Sequence, residues 1–235
     1  DLTGEGIDPK DRAGILKLIH VAVGSESGLP PARRIELLRQ GVAEDPTNPS
    51  LYYHLGGELE KVGRYAEAVK LYQSALSKGV VSGRLYSRIA DLYLREGRKD
   101  AAIVHYEKAA QFNPSDYESQ SNLATAYLEK GRVADAERIF RWIIAAGEEY
   151  APAYNGLGLV AIQRRDLAGA KVNFERAVQL DPDLVEAHLN LGLIYKMSGD
   201  IPRARSSFQT CLAKATRAQY GHIIPQVREE LAALQ

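Results

Sequence analysis

Four charged residues offer the clearest chemistry in this 235-residue chain. Their spacings of four, three and four residues place all of them on one helix face: Arg84, Arg88, Asp91 and Arg95. Arginine presents a fixed fork of donors, so this face suits the capture of a carboxylate or an acidic segment. The alternative is a solvated face on which Asp91 only pairs with a neighbouring arginine, and the sequence leaves both interpretations open.

Patterns for catalysis or metal binding are missing from the sequence. It contains no phosphate-binding glycine loop, no dinucleotide fingerprint, no nucleophile elbow and no zinc-protease motif. The five histidines never pair three or four residues apart, and His20 with His54 would supply only two of the four ligands that zinc takes. Cys211 occupies a small-residue position, where we expect a packed side chain and not a nucleophile. We therefore predict no enzyme activity, no metal and no cofactor.

The composition restricts the class of partner. Thirty basic and 30 acidic residues cancel, which removes any general electrostatic reason to bind nucleic acid. No apolar run approaches the roughly 18 residues of a membrane span. One cysteine allows no internal disulfide, so the cytoplasm and the periplasm both stay open as compartments. The chain begins at Asp1 without methionine, and we expect a processed chain or part of a longer protein. We predict a monomer with a protein or peptide partner.

A 34-residue repeat positions these side chains. The small-residue position is occupied in turn by Gly56, Ala90, Ala124, Gly158 and Gly192. A leucine or isoleucine, an alanine and an aromatic residue recur at the same interval, beginning at Leu55, Ala68 and Tyr72. Each unit divides into two amphipathic stretches separated by a short break that usually carries glycine. Every unit is therefore predicted to be a helical hairpin.

The repeat and its flanks divide the chain into three parts. Residues 1–48 form a linker and a degenerate hairpin that keeps Leu38 and Gly41 in the aromatic and small positions. The five full units are 49–82, 83–116, 117–150, 151–184 and 185–218. In residues 219–235, Val227, Leu231 and Leu234 recur at helical spacing. This last helix is predicted to cap the apolar face of the final hairpin.

The pattern resembles the tetratricopeptide repeat (TPR). The residues that carry the resemblance are the pair Leu55-Gly56, the alanine and aromatic positions of Ala68 and Tyr72, and a late proline such as Pro182. It spans about residues 49–218, with a local departure where Arg165 replaces the turn glycine. The resemblance implies an all-α, right-handed superhelical solenoid whose concave groove is lined by the first helix of every unit.

That resemblance also implies which residues line the groove. They are Tyr53, His54, Arg84, Ser87, Arg88, Asp91, Arg95, Asn122, Thr125, Asn155, Leu159, Asn190 and Leu193. Asn122 and Asn190 share one repeat position and resemble part of the asparagine ladder that grips extended peptide in O-linked N-acetylglucosamine transferases. Ser87 and Asp91 stand where a chaperone-tail clamp of the family has lysine and asparagine, so chaperone-tail binding is not expected. The groove is predicted to bind an extended peptide.

Two features leave alternatives open. Leu159, Ile162, Leu193 and Met197 would form an apolar patch on the groove side, which needs either a partner or a cover from the chain itself. The segment from Asp1 to Arg12 resembles the junction between a sulfatase-like hydrolase domain and a repeat array in some bacterial proteins. The leading interpretation is a non-catalytic scaffold. The alternative is an accessory module of a larger enzyme, which would recruit substrate or organise an assembly.

Overall fold

The computed structural model describes residues 28–147, 149–216 and 220–234, and within these ranges every regular element is a helix. The helices are α1 (Pro31–Glu44), α2 (Pro49–Lys61), α3 (Tyr65–Ser77), α4 (Gly83–Arg95), α5 (Lys99–Phe112), α6 (Tyr117–Glu129), α7 (Val133–Ala145), α8 (Ala151–Gln163), α9 (Leu167–Leu180), α10 (Val185–Met197), α11 (Ile201–Lys214) and α12 (Ile224–Ala232). The predicted all-α repeat fold is confirmed. His20 and the segment Asp1 to Arg12 lie outside the described residues.

The chain forms two compact units, Asp1–Ser119 and Gln120–Gln235, with the boundary inside α6. In the first unit, α2 pairs with α3 and α4 with α5, while α1 packs against α2. In the second unit, α8 pairs with α9 and α10 with α11, and α12 packs against α11. Each of these four pairs is one predicted hairpin, in which the even-numbered helix comes first and the odd-numbered helix follows it.

Close packing inside each hairpin explains the small-residue position of the repeat. A methyl group added at Gly56 would lie 2.1 Å from the buried ring of Tyr72. The same addition at Gly192 would lie 2.4 Å from the ring of Phe208. The aromatic residue of the second helix therefore fills the space that the small residue of the first helix leaves.

The turns inside the hairpins depend on the left-handed backbone conformation. Gly63, Gly97, Gly131 and Gly199 all have φ between 73° and 77°. At Gly63, the turn is closed by an amide of Arg64 that donates to the carbonyl of Leu59 at 2.8 Å, as in a Schellman motif. Arg165 adopts φ 63° at the same place in the fourth full unit, where a side chain makes the conformation strained.

The last helix covers the end of the second unit. Val227 is fully buried, and Leu231 and Leu234 pack against the same core as Phe208 and Cys211. Within the described ranges, no helix combines the length and the apolar character needed to cross a bilayer.

Candidate functional site

The first unit presents one polar face built from α2 and α4. On α2, Tyr53 and His54 are half-buried, and their rings meet edge to face with centroids 5.5 Å apart. On α4, Arg84 and Arg95 are exposed at the two ends of the helix, while Arg88 and Asp91 are half-buried between them. The charged residues of α4 therefore share one face, and Arg88 and Asp91 are the two that contact each other there.

Arg88 is held by carboxylates of its own unit. Its Nε donates to Glu60 Oε1 at 3.2 Å, a second nitrogen donates to Glu60 Oε2, and Nη1 lies 3.3 Å from Asp91 Oδ2. Glu60 also accepts a hydrogen bond of 2.8 Å from the Tyr72 hydroxyl, and Tyr106 donates to Asp91. The five residues form one network across α2, α3, α4 and α5. Arg88 is consequently a structural ion pair partner, with its donors largely used.

Glu60 was missed by the sequence argument. It lies on α2, 28 residues before Arg88, so no spacing rule within a single helix connects the two side chains. A comparison of neighbouring first helices is the signal that would have found it, because the first helices of consecutive repeat units lie side by side.

The fold raises the pKa of Asp91 within this network. Burial raises the pKa of Asp91 to about 6, and the neighbouring carboxylates of Glu60 and Glu118 act in the same direction. The hydrogen bond from Tyr106 and the charge of Arg88 oppose this rise without cancelling it. The ion pair raises the pKa of the Arg88 guanidinium, so this group keeps its proton throughout. The network therefore changes its net charge near pH 6 through Asp91.

Arg84 and Arg95 are the available cations of this face. The Arg84 guanidinium lies 5.8 Å from the centroid of the Tyr53 ring, and that of Arg95 lies 4.0 Å from the Tyr65 ring. Neither forms an ion pair with any carboxylate of the described chain. A cleft of about 420 Å³ opens beside Arg84, with Tyr53 and Phe112 among its walls. Both guanidinium groups thus contact aromatic rings and no carboxylate of the described residues.

Ser87 and His54 contribute less to binding than their position suggests. The Ser87 hydroxyl is bonded to the carbonyl of Gly83 at 3.2 Å and to the hydroxyl of Ser119 at 2.6 Å. Burial lowers the pKa of His54, and the nearby positive charges of Arg84 and Lys61 lower it further. His54 is therefore neutral at pH 7 and adds no charge to the face.

The second unit presents a separate face built from amides and apolar side chains. Asn190 Nδ2 donates to Asn155 Oδ1 at 2.9 Å, which joins α8 to α10. Asn190 is thus paired with Asn155, and Asn122, which shares the repeat position of Asn190, is a half-buried residue of α6. The hydroxyl of Thr125 is directed back to its own helix, at 3.0 Å from the carbonyl of Ser121.

The apolar patch of the second unit is partly covered. Leu159 and Leu193 are half-buried against the core that α12 completes. A salt bridge of 2.7 Å between Lys196 and Glu230 ties α12 to α10 beside them. Met197 remains 65% exposed and Ile162 36% exposed. Leu159 and Leu193 thus pack against the core of the second unit, whereas Met197 and Ile162 stay exposed.

The remaining candidates for chemistry are Cys211 and the potential metal ligands. Cys211 is fully buried, and burial raises the pKa of its thiol to about 11, opposite to the requirement for a nucleophile. Among the residues that the structure describes, no group of three or more histidine, cysteine, aspartate or glutamate side chains is placed to hold a metal ion.

Family models of the tetratricopeptide repeat match three stretches of the chain. They cover residues 53–117, 93–157 and 158–199, which together include both polar faces described above. No match to the chain was found among curated proteins.

Solved structures with the same fold are numerous, and three illustrate the range. A tetratricopeptide repeat protein from Parabacteroides merdae ATCC 43184 has a TM-score of 0.71 at 20% identity, covering 94% of this chain and 90% of that chain. A chain of the APC/C hetero-tetramer Cut9-Hcn1 gives 0.74 at 13% identity, with 94% of this chain and 42% of that chain covered. The present chain thus spans less than half the length of that protein.

YrrB, described as a TPR protein with an unusual peptide-binding site, has a TM-score of 0.58 at 18% identity, covering 74% of this chain and 86% of that chain. Identities this low establish a shared fold and nothing finer. The 34-residue period, the stacked helical hairpins and the three matching models agree, and the chain belongs to the tetratricopeptide repeat family.

Proposed function

We propose that the chain is a non-catalytic scaffold that binds an extended, acidic segment of a partner protein on the α2–α4 face of its first unit. Membership of the tetratricopeptide repeat family supports the general role of a protein-interaction scaffold. The observation that carries the specific proposal is the pair Arg84 and Arg95, exposed at opposite ends of α4 and without carboxylate partners among the described residues.

The spacing of the two arginines defines the segment that fits. They are eleven positions apart in the helix, which corresponds to roughly 16 Å along the axis of α4. An extended peptide covers this distance in about five residues. Two acidic side chains about five positions apart would therefore reach both guanidinium groups, while Arg88 between them stays neutralised by Glu60 and Asp91.

The second unit offers, by itself, a site that could bind a peptide backbone. In the Asn155–Asn190 pair, one amide hydrogen and one carbonyl oxygen are used by the bond between them. The amide group of Asn155 and the carbonyl of Asn190 keep further donors and acceptors, which complement the acceptor and donor of a peptide group. Ile162 and Met197 would supply apolar contact beside this pair.

An accessory role within a larger protein is the alternative function. The same two faces would then recruit a substrate or an assembly partner. YrrB, a TPR protein with an unusual peptide-binding site, is a precedent for peptide binding on this fold. A scaffold by itself and a module of a larger protein would use the same residues to bind an acidic segment, so both functions imply the same class of ligand.

Binding of labelled peptides tests directly whether the α2–α4 face takes up an acidic segment. The probe is a labelled ten-residue peptide of serine and alanine with two aspartates five positions apart. Its binding is measured by fluorescence anisotropy at low and at moderate salt concentration. Charge-assisted hydrogen bonds contribute about 1.5–3 kcal/mol each, so we expect the Arg84→Ala/Arg95→Ala variant to bind at least tenfold more weakly. Its affinity should also depend less on salt.

Two controls make the result specific. Arg138→Ala removes an exposed cation from α7 in the second unit and should leave the affinity unchanged. A probe with the two aspartates on adjacent positions should bind more weakly than the spaced probe. If the double variant binds the spaced probe as tightly as the unmodified chain does, the α2–α4 face is not the binding site for acidic segments.

A further inference from the structure

A second cleft lies in the first unit, away from the residues of the α2–α4 face. It has a volume of about 300 Å³ and opens between α1, α2 and α3. Leu55 and Leu59 of α2 form its floor, and Val42 of α1 and Leu71 of α3 contribute its walls. The lining is therefore mainly aliphatic, which is the usual character of a site that binds a compact apolar group.

The next hairpin of the same unit carries an aromatic residue at the corresponding place. Shifting Leu59 by one 34-residue repeat gives Tyr93, and shifting Leu71 gives His105. The Tyr93 ring is buried and meets the His105 ring edge to face, with centroids 5.1 Å apart. Its hydroxyl accepts a hydrogen bond of 2.8 Å from Gln73, a residue of the preceding second helix.

Tyrosine recurs at this repeat position elsewhere in the chain. Tyr127 and Tyr195 occupy it in the third and fifth full units, and both are buried. Leu59 is shorter than any of these tyrosines and carries no ring. The cleft is thus the place of an aromatic ring that the first full repeat does not supply from its own sequence.

The rim of the cleft carries positive charge. Lys70 is exposed at the rim and forms no ion pair with the described residues. Arg39 and Arg64 both bond to the single carboxylate of Glu67. Two cations, Arg39 and Lys70, and one anion, Glu67, therefore line the opening, whereas the next repeat has Val104 at the position of Lys70. An anionic ligand is favoured over a neutral one.

We propose that this cleft is a docking site for an aromatic side chain of a partner protein that carries an acidic residue next to the ring. The ring fills the space that Tyr93 fills in the following hairpin and gains the dispersion contacts that the empty cleft lacks. The acidic residue pairs with Lys70 at the rim. This site is independent of the acidic segment bound by Arg84 and Arg95, since the two sites share no residue.

Small probes test the site without knowledge of the partner. The probes are 4-hydroxyphenylacetate, which combines the ring with a carboxylate, the neutral ring analogue 4-methylphenol, and cyclohexylacetate, which has the charge without the aromatic ring. Binding is followed by two-dimensional NMR of the methyl groups of Leu55, Leu59 and Leu71. We expect saturable shifts with 4-hydroxyphenylacetate, and at least threefold weaker binding of each of the other two probes.

Variants of the cleft provide the decisive comparison. Leu59→Tyr supplies the ring from the chain itself and should abolish binding, while Lys70→Ala should make the neutral and anionic aromatic probes bind equally. Leu71→Trp places a larger ring in the cleft from its other wall and should also reduce binding, which keeps the test valid if Leu59→Tyr folds poorly. The matched change Tyr93→Leu should open a similar cleft one repeat later and add shifts at Ile89.

Three outcomes would overturn the proposal. They are the absence of saturable shifts in the unmodified chain, unchanged binding in folded Leu59→Tyr, and equal binding of cyclohexylacetate, which would indicate an aliphatic occupant. Unchanged probe binding in the Arg84→Ala/Arg95→Ala variant would show that the cleft works separately from the α2–α4 face, and loss of binding there would contradict that separation.

Discussion

The Asp91→Asn variant separates the charge of the central carboxylate from its shape. Asparagine keeps the size of the side chain and retains a carbonyl oxygen that can accept the hydrogen bond of Tyr106. It cannot ionise. A comparison of the two proteins across pH therefore reports what the negative charge of Asp91 does to the stability of the first unit.

The direction of the effect follows from the raised pKa of Asp91. That pKa rises from 3.8 to about 6 in the fold, mainly because of burial, so the folded chain holds this proton more tightly than the unfolded chain does. The resulting stabilisation is complete below pH 3.8 and is lost as the pH rises through 6. The difference corresponds to about 3 kcal/mol. Because the side chain is 33% exposed, solvent screening reduces the expected contribution to about 1–2 kcal/mol.

Urea unfolding at pH 4.5, 5.5, 6.5 and 7.5, followed by circular dichroism, measures this contribution. Between the lowest and highest pH, the unmodified chain should lose about 1–2 kcal/mol of unfolding free energy relative to Asp91→Asn. Asp100→Asn makes the same change at an exposed carboxylate of α5 and controls for the simple removal of a charge. A constant difference between the unmodified chain and Asp91→Asn over this range, or a change of opposite sign, would refute the assignment of a raised pKa to Asp91.

Two further predictions concern the second unit. Deleting residues 225–235 removes Val227, Leu231 and Leu234 from the core, and each fully buried side chain of this kind contributes about 1.5–3 kcal/mol. Thermal melts should show a lower transition temperature and light scattering should show association, and an unchanged melt with a monodisperse sample would contradict the capping role. Arg165→Gly relieves a left-handed residue with φ 63° and should raise the unfolding free energy by up to about 1 kcal/mol. Loss of stability in this variant would show that the Arg165 side chain contributes more than its backbone strain costs.

The hairpins were predictable from sequence because their determinants are local. Helix periodicity, the turn glycines and the fit of Gly56 to Tyr72 all act within one 34-residue unit, so they leave a period that can be recognised without a structure. The left-handed turn at Arg165 was predictable in the same way, because Arg165 stands at the repeat position that glycine occupies in the other full units.

The roles of the charged and amide side chains were decided by the tertiary structure. Helical spacing placed Arg84, Arg88 and Arg95 on one face of α4, but only the packing of α2 against α4 brings Glu60 to Arg88 and leaves the other two available. The pairing of Asn190 with Asn155 likewise depends on neighbouring helices, at a separation of 35 residues rather than the repeat length.

The sequence by itself thus determined the fold and the set of surface residues from which a site could be built. Which of these residues keep their donors free, and where a missing ring leaves a cleft at Leu59, depended on distances between side chains of different helices. The physical reason is that helix formation follows from residues a few positions apart, whereas ion pairing and cavity formation require burial and contact that only the packed hairpins create.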